Sequence, residues 1–333
     1  MTRLSTAACA LMLALAASSP ASAAPAHKVV DRLSGPDGSW DYISVDHAGG
    51  RLLVGRGDGA TAFALTPGAK GTAFASGGGR AHAAMAVNAG KEVLITYGVA
   101  NKAVLYDQAG AVLAELATGA NPDDAVADPK SGLVLVMDHT GGEVTLIDLK
   151  TRKSVGSIPV GGALEAAAVD GAGRAFVNVE DKSEIAVIDI AARKVVARYP
   201  LAGCEGPTGI AYVPEGKRLI VACDGVAGVV DAATGKMLKT IKIGDGADGV
   251  AYDPVRKLAY VPAGRDGVLA VLSVSAKDVV LTETVATQVG ARTLAVDPES
   301  GKVYLPAATM AAPVNGKRPV PAPGTFVVLV VGQ

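Results

Sequence analysis

Four carboxylates and an arginine recur at one register of this chain. Asp41, Asp123, Glu165, Asp248 and Arg292 each stand five residues before the turn residue that ends a short apolar stretch. By the same count the other two positions of the register are Ala83 and Thr208, and Trp40, Tyr42, His82, Asp124 and Thr293 are immediate neighbours. Carboxylates gathered in one place can hold a basic ligand or a hard cation such as Ca2+, which takes several oxygen ligands. The competing reading has them accept hydrogen bonds from neighbouring backbone, or pair with Arg292 and Arg80. His82 and His139 could bring imidazole to the same place, but no H-x-H, HExxH or CxxCH spacing is present to support a metal centre or covalent haem. No cofactor is therefore expected. Ca2+ or another divalent cation is the one exception left open, and its ligands would be Asp41, Asp123, Glu165 and Asp248.

A repeat must bring these residues together. The turn residues are Asp46 in VDHAGGR, Asn88 in VNAGKE, Asp128 in ADPKSG, Asp170 in VDGAGR, Val213 in YVPEGK, Asp253 in YDPVRK and Asp297 in VDPESGK. Their spacing averages about 42 residues, the length of a four-stranded propeller blade. Each repeat reads as an apolar strand, a turn, a β-branched strand such as RLLVGR or EVLITY, a variable loop, and two more strands. The last repeat stops after its third strand, TFVVLVV, whereas HKVVDRLSG near the other end matches fourth strands such as KMLKTIKIG. The pattern predicts an all-β, seven-bladed β-propeller of four-stranded antiparallel blades. The N-terminal strand, around Lys28 to Leu33, should close the ring beside Thr325 to Val331 and leave no open sheet edge. In such a ring the innermost strands line a central channel, so the register opening on Asp41 becomes a polar rim at the channel mouth. The loop from Ala307 to Gly324, with Pro313, Pro319, Pro321 and Pro323, is long and restricted enough to lie across that mouth.

Half of the 333 residues are hydrophobic, 4% are aromatic, and the formal net charge is −1. Disorder, collagen and a coiled coil are excluded, and no general attraction to nucleic acid or an anionic membrane follows. Arg3, the apolar run Ala7 to Ala17 and the small-x-small triplet Ala21-Ser22-Ala23 form a secretory signal, with cleavage near Ala23 or Ala24. Residues 1–24 are thus expected to be a leader and 25–333 a single propeller domain. A periplasmic or secreted monomer without a membrane span is expected, since the apolar run is about half the length a span needs. Export leaves Cys204 and Cys223. One precedes the first strand of its repeat and the other ends the second, so antiparallel pairing returns both to one side of a blade, and a disulfide is predicted. A thiolate metal site is the alternative, with two sulfurs and no His nearby in sequence.

The second strands followed by a (V/I)(I/V)D third strand resemble the YVTN-type, YncE-like family of bacterial extracytoplasmic seven-bladed propellers. Most specific are CEGPTGIAYVPEGKRLIVACD (Cys204 to Asp224), IGDGADGVAYDP (Ile243 to Pro254), and GARTLAVDPESGKVYLPAA followed by PAPGTFVVLVVG (Gly290 to Gly332). The resemblance covers the whole chain after the leader. It implies a binding or scaffolding protein and carries no general catalytic residue set. The leading expectation is an exported, non-catalytic protein that binds a small ligand or an envelope protein on its channel face, through Asp41, Asp123, Glu165, Asp248, Arg292, Trp40, His82 and Asp124. The alternative is a metal-dependent, lactonase-like hydrolase with a divalent cation in the acidic rim, where it would polarise a carbonyl and activate water.

Overall fold

The computed structural model describes residues 26–311 and 320–333. The leader, its cleavage site, and Pro313 and Pro319 of the long loop lie outside the described residues. Seven four-stranded antiparallel sheets form the chain, and six of them use four consecutive strands. The seventh combines Ala295–Asp297, Lys302–Ala307 and Val327–Gly332 with the N-terminal strand Lys28–Ser34. Lys28 lies opposite Gly332 and Ser34 opposite Val327, so the ring closes by the expected ladder. Numbered from the N-terminus, blades 1 to 7 have the innermost strands Trp40–Asp46, Ala81–Val87, Pro122–Asp128, Leu164–Val169, Ile210–Val213, Ala251–Asp253 and Ala295–Asp297.

Burial follows position in the blade. The second strands Arg51–Arg56, Glu92–Tyr97 and Leu133–Asp138 are buried almost throughout, because both faces of a blade pack on neighbouring blades. Continuous apolar runs result, and alternation is lost. The fourth strand Lys194–Pro200 stands at the rim of the ring and alternates exposed with half-buried residues. Apolar clusters fill the seams between blades. At the closing seam Leu33, Trp40, Phe63 and Phe326 pack together and tie blade 7 to blade 1.

Cys204 and Cys223 are bonded, with Cα atoms 5.2 Å apart. The third strand makes room for the sulfurs with Gly228, where a Cβ would stand 2.7 Å from Cys204 Sγ. Asp107, Asp148, Asp189 and Asp231 each end a third strand and accept backbone amides of the turn that follows. Among the described residues the one helical element is the 3-10 turn Glu180–Lys182, and no helix is long and apolar enough to cross a membrane.

Candidate functional site

A recurring bulge builds the channel mouth. Ladder pairs jump from Trp40–Arg56 to Ile43–Val54 in blade 1, and from Ala81–Tyr97 to Ala84–Ile95 in blade 2. The same jump runs from Pro122–Asp138 to Ala125–Val136 in blade 3, and from Leu164–Val179 to Ala167–Val177 in blade 4. Each bulge frees two residues from the ladder and re-aims their side chains. The first residue of each is Asp41, His82, Asp123 or Glu165, and the second is Tyr42, Ala83, Asp124 or Ala166. The freed backbone is taken up across the seams, where Thr293 donates to Asp41 O at 2.8 Å and Thr96 to Asp123 O at 2.6 Å; ahead of the unbulged ladder of blade 5, Asn178 likewise donates to Thr208 O at 2.8 Å.

This geometry corrects the register in blade 2. Counting from Asn88 places Ala83 on the rim, but His82 occupies that position. Val87 pairs with Glu92 as Asp46 pairs with Arg51, so the strand ends at Val87. Asn88 belongs to the turn itself, with φ 53° beside Ala89 at 54°. Asn enters the left-handed region more readily than most residues, so it can sit inside a turn as well as open one. The ring at the mouth therefore reads Asp41, His82, Asp123, Glu165, Thr208, Asp248, Arg292, and every position is polar.

Acid and base alternate around most of the ring. Asp248 Oδ2 accepts from Arg292 Nε at 2.7 Å, and Arg292 Nη2 lies 3.6 Å from Asp41 Oδ1. His82 Nδ1 sits between Asp41 Oδ2 at 2.8 Å and Asp123 Oδ1 at 3.0 Å. Outside the ring, His139 Nδ1 lies 3.1 Å from Glu165 Oε1 and 3.0 Å from Leu164 O. All four carboxylates thus have a basic neighbour, and Arg80 adds a longer approach of 3.9 Å to Asp41. Burial would lower the His82 imidazole, but hydrogen bonds and charge from Asp123 and Asp41 outweigh it and raise it to about 9. The hydrogen bond that His139 donates to Glu165 raises the imidazole to about 9 as well. Burial is the main cause that raises Glu165 to about 7 and Asp248 to about 6, the latter against the pull of Arg292.

Below the ring the second residues of the bulges line a cavity of about 260 Å³ that includes Tyr42, Ala83, Asp124, Ala166, Gly209 and Gly249. Asp124 is the one carboxylate on its walls. Burial, with Asp123 and Glu165 close by, pushes it up to about 7, and burial among the same carboxylates holds the Tyr42 phenol well above its ordinary value.

The remaining expected residues are distributed less simply. Trp40 starts the innermost strand of blade 1 and packs on Phe326, with ring centroids 5.7 Å apart, while Arg292 lies 5.8 Å above its ring. Near the mouth, Tyr97 is fully buried with its hydroxyl 2.7 Å from that of Tyr106, and Asp138 is buried against Thr145. Both end second strands, and the two-sided packing of a blade takes them inside. Flanks of the long loop pair as Met310 with Pro321, and both residues stand beside Trp40, Asp41, Arg80 and Arg292 at the mouth. Two roles went unread in the sequence: the pairing of His139 with Glu165, and the burial of Arg56. No local spacing signals either, since each depends on contacts made across a loop or a seam.

No family model matches the chain, and no curated protein matches it. Solved structures do. A chain in the crystal structure of the mitotic checkpoint complex superposes with a TM-score of 0.73 at 13% identity, over 90% of this chain and 96% of that one. Kuenenia stuttgartiensis hydrazine synthase superposes with a TM-score of 0.54 at 18% identity, over 65% of this chain and 70% of that one. At such identities the likeness is one of fold. This chain is a seven-bladed β-propeller.

Proposed function

We propose that this propeller is an exported, non-catalytic binding protein that receives a small ligand or an envelope partner at its channel mouth. The observation that carries the reading is the ring itself: seven equivalent positions converge on one axis and all are polar, four of them carboxylates. A ring serving packing alone has no need of buried charge, which must be paired to be tolerated. The leader and a disulfide in a loop-rich blade support export, and the strand text supports membership of the YVTN-type, YncE-like family. Asp123→Asn combined with Asp248→Asn tests the reading. Native mass spectrometry of protein purified from a periplasmic extract should find a bound molecule on the parent that the double variant, folded by circular dichroism, lacks. If the double variant unfolds and the parent carries nothing, the carboxylates are structural acceptors and the reading fails.

A metal-dependent hydrolase is the second reading. It is favoured by two triplets, Asp41–His82–Asp123 and Asp123–His139–Glu165, whose ligand atoms lie within 4.8 Å of one another. An imidazole in each suits zinc or a similar ion better than Ca2+, which prefers an all-oxygen shell. His82 Nδ1 is engaged by two carboxylates and would have to give up its proton to an ion, which weakens this reading. Metal analysis of the native protein separates the two.

A further inference from the structure

The wall of the mouth between blades 7 and 1 carries charge of the opposite sign to the ring carboxylates. A cavity of about 350 Å³ there is lined by Arg56, Arg80, Arg292 and Trp40, with Asp41 as its one carboxylate and with Met310 and Pro321 as apolar cover. Arg292 is paired with Asp248 at 2.7 Å and with Asp41 at 3.6 Å, and Arg80 approaches Asp41 at 3.9 Å, which leaves Arg56 as the guanidinium on this wall without a carboxylate partner among the described residues.

Arg56 is the anomaly. It is 7% exposed, yet among the described residues it has no carboxylate within ion-pairing distance. Its Nε donates to Ser39 O at 2.8 Å and its Nη2 to Pro36 O at 2.7 Å, while its guanidinium carbon stands 3.6 Å from the Phe326 ring centroid. Nη1 has no hydrogen-bond partner among the described residues, and burial pulls the guanidinium down to about 10. Trp40, 6% exposed on the same cavity, likewise keeps Nε1 without a partner. Buried cations are ordinarily paired and buried donors ordinarily satisfied. Two unsatisfied donors and one buried guanidinium without a carboxylate around one cavity describe a receptor lacking its acceptor.

We infer that this cavity is a binding site for a small organic carboxylate. A carboxylate oxygen is the kind of acceptor that Arg56 Nη1 and Trp40 Nε1 lack. Arg80 and Arg292 supply the surrounding field, and an apolar body suits Met310 and Pro321. Arginine favours carboxylates because its planar donors meet two oxygens at once. The inference rests on the reading that ligands meet this protein at the channel mouth, but it uses side chains other than Asp123, Glu165 and Asp248.

Calorimetric titration of the purified protein at constant ionic strength tests it, with benzoate as the probe, benzamide as its neutral isostere and phenyl phosphate as a second anion. Benzoate should saturate one site and benzamide should show no binding. Arg80→Gln, whose parent side chain is 61% exposed and so dispensable for folding, should weaken benzoate about tenfold or more. Arg56→Met should abolish binding, and if that variant does not fold, Arg80→Gln decides. Four results overturn the inference: no benzoate binding up to about 10 mM, equal binding of benzamide, unchanged benzoate affinity in Arg80→Gln, or tighter binding of phenyl phosphate than of benzoate. Failure here is distinguishable from failure of the ring, because the ring is tested through the Asp123→Asn and Asp248→Asn protein and its co-purifying molecule.

Discussion

Replacing His82 by Asn keeps a hydrogen-bonding side chain between Asp41 and Asp123 but removes the positive charge that both carboxylates share. In the folded protein the imidazole titrates at about 9 against an ordinary value of 6.5. At about 1.4 kcal/mol per pK unit, that difference corresponds to roughly 3 kcal/mol of stability linked to its proton. Solvent screening takes little from the figure, since His82 is 2% exposed. The folded value is raised, so the contribution is fully present below pH 6.5 and disappears as pH rises through about 9. His82→Asn should therefore be less stable than the parent by about 3 kcal/mol near pH 6, and the gap should close near pH 10. His139, also raised to about 9, titrates in both proteins and largely cancels in the difference. Urea unfolding followed through the single, buried Trp40 measures the gap. A gap of equal size at both ends of the range would refute the argument, as would an imidazole resonance of His82 that titrates at its ordinary value.

Three further outcomes follow from the same geometry. Asp124 is raised from 3.8 to about 7 by burial beside Asp123 and Glu165, so its contribution is present below pH 4 and lost as pH rises through 7. Asp124→Asn should then match the parent near pH 4 and exceed it by up to about 4 kcal/mol at pH 8 in denaturant unfolding. Reducing the Cys204–Cys223 bond, whose cysteines are 19 residues apart, should cost about 3 kcal/mol by the loop-entropy argument. The check is urea unfolding with and without reductant, and unchanged midpoints would count against it. Deleting residues 28–34 strips the outer strand from blade 7 and bares the edge of Val327–Gly332, so calorimetry should lose its cooperative transition; a melt like that of the parent would disprove closure.

What was legible in the chain was whatever depends on short-range pattern. β-branched strands separated by Asp and Gly turns, repeated at a constant interval, dictate both the blade and the number of blades. The unfinished last repeat and the unattached first strand then require closure, because an open sheet edge is unstable in water. The disulfide was legible for the same reason: antiparallel pairing within one blade brings Cys204 back to Cys223 whatever the rest of the ring does.

The site is a different matter, because its chemistry lies between blades. Asp41, Asp123, Glu165, Asp248 and Arg292 could be placed on one axis from spacing alone, but their partners could not. His82 is brought to the ring because the blade 2 turn takes Asn88 and Ala89 into the left-handed region, which leaves Val87 as the end of the strand. His139 reaches Glu165 only across the seam from blade 3 to blade 4. Arg56 ends its strand like any other last residue of a second strand, and only the closing seam encloses it against Phe326. Strand periodicity is a property of neighbouring residues, so it survives in a linear string. Charge pairing and burial are set by groups far apart in sequence, such as His82 and Asp41 or Arg292 and Asp248, meeting at a few ångströms, and only the closed ring specifies which of them meet.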